Sequence, residues 1–270
     1  MKDPNRTSPL HEDAVHESAW KHVTGRAQFI NDMDMPPHGL VSYIVTSPVA
    51  HGRIRSIDTE AARNMPGIAA VITAKDIPGV NDVSAVSAGD EEILASEEVF
   101  CVGQAIALVV GETYEACIAA GKKVVVDIEP LEAILDVRDA IAKGSLFEDH
   151  HIIERGDLEA AYKQADFILE GEVESPGQEH WYLETQVAQA EVNEDDDILI
   201  YASSQNPREC QAKSPKCSIT PKVASSSSCR EWVADSAAKK LKAPNTHAWP
   251  LSAHTSPAAP SASGSIAIKI

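Results

Sequence analysis

Apolar positions along this chain fall in short runs separated by polar turns. Leu40–Thr46 (LVSYIVT) is rich in β-branched residues and reads as a strand, closed by Ser47-Pro48. Residues 52–57 (GRIRSI) alternate, with Ile54 and Ile57 as apolar anchors. Asp58 is placed to cap a short helix over residues 59–65, which Pro66-Gly67 ends. Ile68–Thr73 (IAAVIT) reads as a buried strand, and residues 76–90 are rich in turn formers. Residues 105–110 (AIALVV) give the strongest core-strand pattern in the chain. Gly111-Glu112-Thr113 then leads into a helix with Tyr114, Cys117, Ile118 and Lys122 on neighbouring turns, followed by a strand at 123–128. Asp157 caps a second helix over 158–165. Residues 167–173, 182–192 and 198–203 read as strands, and the acidic turn 193–197 predicts a hairpin between the last two. Mixed elements in this order predict an α+β fold, with a first domain to about residue 133 and a second beginning near residue 134.

Charge divides the chain differently. Residues 1–210 carry 15 Lys+Arg and 39 Asp+Glu, a net of −24, whereas residues 211–270 carry 8 and 2, a net of +6. The last sixty residues hold 12 Ser, 12 Ala and 6 Pro but one Gly and no Phe or Tyr, too little apolar content to offset the entropy of ordering. The expected organisation is a flexible lead-in over 1–18, a domain over 19–133, the start of a second over 134–211, and a disordered tail over 212–270. The acidic body argues against nucleic-acid binding, which needs a basic footprint. No run approaches the roughly 20 apolar residues of a membrane helix. The first ten residues are polar and lack the apolar core of a signal peptide. Cys101, Cys117, Cys210, Cys217 and Cys229 form no metal or disulfide spacing, so free thiols in a cytoplasmic protein are expected.

Candidate chemistry concentrates at two places. Gly177-Gln178-Glu179-His180-Trp181-Tyr182-Leu183-Glu184 gathers carboxylate, imidazole and amide groups ahead of an aromatic strand. It reads either as the wall of a polar active site or as a loop whose polar groups bond one another. Ser203-Ser204-Gln205-Asn206-Pro207 follows a strand, where amides reach into a site or close a turn. His150-His151 lack the further ligands of a metal site. Phosphate-cradling glycine loops and nucleophile elbows are absent.

The motifs, taken in order, resemble the molybdenum-cofactor-binding part of the xanthine dehydrogenase and aldehyde oxidase family. Lys21-His22-Val23-Thr24-Gly25-Arg26-Ala27 resembles its KHVTGxA, and Ser47-Pro48-Val49-Ala50-His51-Gly52-Arg53-Ile54 its SPxAHGRI. Met65-Pro66-Gly67-Ile68 resembles xPGV, Gly103-Gln104 the GQ of xGQPxxxVxA, Gly177–Glu184 GQEHFYLE with Trp181 for Phe, and Ser204–Pro207 STQ(N/H)P. Bacterial two-chain xanthine dehydrogenases are the nearest likeness. The resemblance implies a hammerhead domain over 19–133, and then a molybdenum-cofactor-binding α+β domain interrupted near 211. It implies hydroxylation of purines such as hypoxanthine or xanthine with oxygen from water, and electrons leaving through iron–sulfur clusters and FAD on a partner subunit to NAD. The cofactor is a molybdenum–molybdopterin. By resemblance Gln205 hydrogen-bonds an oxygen ligand of molybdenum rather than the metal itself, and Gln178, Glu179 and His180 lie near that pocket. The family's general base falls beyond residue 270, so no catalytic residue is expected within the chain. An aldehyde- or heterocycle-oxidising relative, and a non-catalytic module that binds a partner, are the alternative readings.

The family's next landmark is the glycine-rich loop RMGGGFGGKETQ, which this chain lacks. Joining the third base of each codon to the first two of the next recovers it. Trp232-Val233 forces Gly, and the pairs from Arg230 to Lys242 permit R-M-G-G-G-F-G-G-K-E-T-Q in full. Pairs from Ala259 to Ile270 permit P-V-R-V-R-F-N-R-D-Q-D, which resembles a later family segment. The expectation is a one-base frameshift near residues 211–213, leaving a fragment that is catalytically incompetent.

Overall fold

The computed structural model describes residues 18–84, 89–146, 152–177, 186–192, 198–204, 206–218 and 267–269. Their helices are α1 (Ala19–Val23), α2 (Glu60–Arg63), α3 (Tyr114–Gly121), α4 (Val137–Lys143), α5 (Leu158–Gln164) and α6 (Pro207–Ser218). The strands are β1 (Leu40–Thr46), β2 (Gly52–Asp58), β3 (Ile68–Thr73), β4 (Glu98–Val99), β5 (Ala105–Gly111), β6 (Val125–Pro130), β7 (Ala188–Val192), β8 (Ile198–Ala202) and β9 (Ala267–Lys269). The fold is α+β, as the pattern predicts. The chain divides into two units: residues 1–131 with 182–270, and residues 132–181.

The larger unit is built on a six-stranded sheet in the order β3-β5-β1-β9-β7-β8. β5 is central to its first half, antiparallel to both β1 and β3. Period-two alternation sends its side chains to opposite faces. Leu108 and Val110 join Ile72, Ile77, Val83, Ile93 and Leu94 on one face. Val109 joins Val71 and the α3 residues Cys117 and Ala120 on the other. Both faces of β5 are therefore covered, which is why its sequence reads as an unbroken apolar run. A three-stranded sheet, β4-β2-β6, packs its Ile54, Ile57, Val99, Val126 and Ile128 against Ala95 and Ile106.

Local signals set the element ends. Thr113 Oγ1 accepts from Ala116 N at 3.2 Å and starts α3. Asp58 Oδ1 accepts from Glu60 N at 2.9 Å at the start of α2. β6 begins two residues later than the apolar run suggests, because Lys122 and Lys123 donate their amides to Ile118 and Ala120 and finish the helix turn.

Cys117 is fully buried on α3. Burial pushes its thiol up to about 11 from an ordinary 9.0. The folded state therefore holds a proton that the unfolded chain gives up first. Its contribution to stability is intact below about pH 9 and falls by about 1.4 kcal/mol per pH unit up to about pH 11. Denaturation of the parent and of Cys117→Ala at pH 8, 9 and 10 is expected to show the parent losing that slope relative to the variant. Parallel curves would contradict the assignment.

The smaller unit has a different character. Asp136 and Asp157 cap α4 and α5, accepting from Arg138 N at 2.8 Å and from Ala160 N at 2.9 Å. Arg138 pairs with Glu172 at 2.8 Å and Glu174 at 3.6 Å, and Lys143 with Glu132, all on exposed side chains that contribute little. None of its described residues is buried; Ile153, Phe167, Leu169 and Val173 are each more than nine-tenths exposed. The strand expected at 167–173 does not form. A strand needs a neighbour to pair with, and the described residues of this unit supply none.

The tail also differs from expectation in its described parts. A helix runs on to Ser218, and Ala267–Lys269 form a strand within the sheet rather than disordered chain.

Candidate functional site

Gln178, Glu179, His180 and Gln205, the residues named from sequence, lie outside the described residues, as do His150 and His151. What surrounds residue 205 is described. β8 pairs with β7 in full antiparallel register from Ala188↔Ala202 to Val192↔Ile198, the expected hairpin. Past its end, Ser203 is locked to the residue ahead of β7: its Oγ accepts from Val187 N at 3.1 Å, and its own N–H donates to Val187 O at 3.1 Å. Ser204 Oγ accepts from Asn206 N at 3.1 Å and lies 3.4 Å from the Cys210 thiol. Asn206 opens α6, with Oδ1 accepting from Glu209 N at 3.2 Å and Nδ2 donating to Glu209 Oε2 at 3.0 Å. This resembles a reciprocal helix cap. Ser203, Ser204 and Cys210 are buried. The polar groups of these serines and of Asn206 shape the strand-to-helix turn.

A second polar loop meets α6. Asn81 fixes its base, with Oδ1 accepting from Ile93 N and Leu94 N at 3.1 and 3.2 Å and Nδ2 donating to Leu94 O at 2.8 Å. Ser84 is its hub. The buried hydroxyl donates to Asp82 Oδ1 and accepts from Asp90 N at 3.0 Å and Glu91 N at 2.9 Å. Partial burial raises the Asp82 carboxyl, but hydrogen bonds from Ser84 Oγ and from the amides of Ser84 and Gly89, with the Lys213 ammonium nearby, outweigh it and hold the group below its usual range. Lys213 Nζ also donates to Ser84 O, tying α6 to the loop. Sequence reasoning missed Asn81, Asp82 and Ser84 as a built site. The signal was present as an Asn/Asp/Ser cluster in a turn-rich stretch, residue types that bond nearby backbone.

The other motifs are architectural. Ser47 N donates to Gln104 O at 2.8 Å and Gly103 N to Ser47 O at 2.9 Å, so the SP and GQ motifs meet in one turn. Gln104 Oε1 accepts from Phe100 N at 2.7 Å. His51 Nε2 lies 2.7 Å from Glu98 Oε1, and its ring stacks on Phe100 at 5.9 Å. In the KHVTG segment Thr24 Oγ1 donates to Trp20 O at 2.7 Å, closing α1. A cavity of about 230 Å³ lies between residues 28–34 and Tyr201, and its Phe29 ring meets His22 of the KHVTG segment at 6.0 Å. Among the described residues no three His, Cys, Asp or Glu side chains gather as a metal site, and no helix is long and apolar enough to cross a membrane.

Comparison with known proteins accounts for this arrangement. The family model for the aldehyde oxidase and xanthine dehydrogenase a/b hammerhead domain matches residues 24–132, and that for the molybdopterin cofactor-binding domain matches residues 144–222. Aldehyde oxidase 4 of Cavia porcellus is 37% identical over 213 residues, covering 77% of this chain and 16% of that protein. Xanthine dehydrogenase of Dictyostelium discoideum is 36% identical over 204 residues, covering 76% and 15%. The chain thus spans about a sixth of the length of these relatives. Aldehyde oxidoreductase from Desulfovibrio gigas shares the fold at a TM-score of 0.68 and 23% identity, over 94% of this chain and 29% of that one. Quinoline 2-oxidoreductase from Pseudomonas putida 86 does so at 0.63 and 20%, over 76% and 28%. Two consecutive domain matches, in the order the motifs follow, place the chain in the xanthine dehydrogenase and aldehyde oxidase family, as a carrier of its hammerhead domain and of residues from its molybdopterin cofactor-binding domain.

Proposed function

We propose that this chain derives from a molybdenum hydroxylase of the xanthine dehydrogenase type, acting on purines such as hypoxanthine or xanthine. The observation that carries the reading is the pair of motifs at 177–184 and 204–207, which fall in order inside the cofactor-binding match and flank the β7–β8 hairpin. In this reading the bound cofactor supplies hydroxylation with oxygen from water. Gln205 would help hold that cofactor, its amide N–H being an uncharged donor suited to a dry pocket. Gln178, Glu179 and His180 belong to the neighbouring wall. Iron–sulfur clusters and FAD reside on a partner subunit, in the cytoplasm.

The residues as written do not fit the whole cofactor. Ser203, Ser204 and Asn206 direct their hydrogen bonds into their own turn. No glycine occurs between Gly177 and Gly264, so the sequence as written lacks the side-chain-free positions through which the family's loop would approach the cofactor. No catalytic step is therefore assigned to this chain. Its incompetence follows from the frameshift near 211–213. Metal analysis of the purified chain is expected to find no stoichiometric molybdenum, and restoring one base at codons 211–213 is expected to bring retention back. Stoichiometric molybdenum in the chain as written, or coding DNA with no indel there relative to close relatives, would defeat the reading. The exposed apolar side chains of residues 132–177 favour the alternative of a partner-binding module. Stoichiometric capture of the iron–sulfur/FAD subunit without molybdenum would select it.

A further inference from the structure

Residues 19–34 carry two features of opposite chemistry. The first is a knob on and just after α1. Trp20 is 60% exposed and Val23 83%, and Lys21 and Arg26 are exposed with them. The Arg26 guanidinium lies 5.6 Å from the centroid of the Trp20 ring, within the range of a cation–π contact. Local hydrogen bonds fix the backbone of the knob. Thr24 Oγ1 donates to Trp20 O at 2.7 Å, and the amides of Arg26 and Ala27 donate to Lys21 O at 2.8 and 3.0 Å. Tryptophan and arginine are enriched among the few residues that dominate protein interfaces. Here the pair is already ordered, so burying it costs less conformational entropy.

The second feature is the cavity of about 230 Å³ between residues 28–34 and Tyr201. Phe29, Ile30, Met33 and Tyr201 supply apolar and aromatic walls, and Asp32 and Asp34 supply carboxylates. No Lys or Arg is among the described residues that line it. Asp32 is partly committed, because its Oδ2 accepts from Phe29 N at 2.9 Å. The exposed Asp34 carboxylate makes no hydrogen bond or ion pair among the described residues, and neither does the Arg26 guanidinium. The cavity is smaller than the roughly 300–1,000 Å³ of sites that enclose small molecules. It suits a single long side chain. Aromatic walls with carboxylates beside them favour a guanidinium, which stacks on rings and forks onto carboxylates. The two features adjoin: the His22 ring, on α1, lies 6.0 Å from the Phe29 ring of the cavity.

A cation and an adjoining receptor for a cation, both unused within one chain, complement a second copy of that chain. A two-fold axis satisfies both contacts at once, since each copy gives a knob and receives one. We propose that residues 19–34, with Tyr201, form a weak two-fold interface between copies of this chain, in which Arg26 of each copy enters the Phe29–Tyr201 cavity of the other and pairs with Asp34. The bodies of the two copies, each with a net of −24 over residues 1–210, repel one another. The dimer is therefore reversible and forms only as concentration rises. The inference is independent of the molybdenum reading.

The test is sedimentation velocity on the full chain. From about 1 to about 500 μM, monomer should give way to dimer. Arg26→Glu should weaken self-association at least about tenfold, and Asp34→Arg likewise, because each sets like charges against each other. Mixing the two variants should restore association to near the parent's. The new carboxylate of the first then meets the new guanidinium of the second, while the second's Arg26 meets the first's Asp34. Mixing cannot repair a folding defect, and hydrogen exchange should find β5 amides as protected in both variants as in the parent. Arg26→Gln and Asp34→Asn, which remove one charge without reversing it, should each give a smaller loss. A monomer throughout the range would overturn the interface. So would self-association that the charge-removing variants leave unchanged, as it would be driven by other surfaces, and so would a mixture that fails to associate while β5 stays protected.

Discussion

Leu108→Ala is expected to cost about 2–5 kcal/mol, enough to threaten a domain whose total stability is of order 5–15 kcal/mol. Leu108 is 1% exposed at the centre of the first three strands of the large sheet. It pairs with Ile44 on β1 and with Ile72 on β3. Its side chain fills the face occupied by Ile72, Ile77, Val83, Ile93 and Leu94. Strands on both sides hold the backbone in register, so the surroundings collapse little onto the space left behind. That places the loss towards the upper part of the range, because the cost grows with the residual cavity. Urea denaturation should show a lower midpoint with an unchanged slope. A loss below about 1 kcal/mol would mean that this face is not the packed core described here.

Gly111→Val is expected to destabilise by about 3 kcal/mol or more, at or above the usual range for overpacking. A Cβ at Gly111 would stand 2.5 Å from the carbonyl oxygen of Gly67, 3.0 Å from Cys117 Sγ and 3.1 Å from Ile68 Cδ1. The nearest of these is backbone and cannot swing away. It is also held in place, since it accepts from Glu112 N at 2.8 Å. Gly111 pairs with Val41 on one side and Ile68 on the other, so its own backbone is equally fixed. Thermal denaturation of Gly111→Val against Gly25→Ala makes the comparison. At Gly25 nothing lies within 4 Å and only its φ of +69° is strained, so the loss there should be near 1 kcal/mol. Equal effects at the two positions would contradict the close approach.

The parts of the fold legible in sequence were those whose causes are local. The apolar run of β5 reports burial on both faces, and Thr113 and Asp157 announce helices through their own hydrogen bonds. α4 went unread although Asp136 caps it as clearly as Asp157 caps α5, because its apolar residues Val137 and Ile141 face no core and give no convincing stripe. Residues 167–173 carry strand composition and make no strand, since pairing is supplied by other chain segments and not by composition. β9 was hidden for the converse reason: three residues acquire their structure from the two edges beside them. At the candidate site the order of motifs identified the family, whereas the tasks of Ser203, Ser204 and Asn206 depend on where Val187 and Glu209 arrive in space. The Ser84 hub depends likewise on Asp90 and Glu91 folding back over it.

That hub has a kinetic corollary. Asn81 and Ser84 close both described flanks of the loop with bonds internal to it. A molecule arriving against those flanks meets a mould already set, and pays no ordering entropy to shape them. Encounter there should be governed by diffusion and shape rather than by a slow rearrangement of the wall.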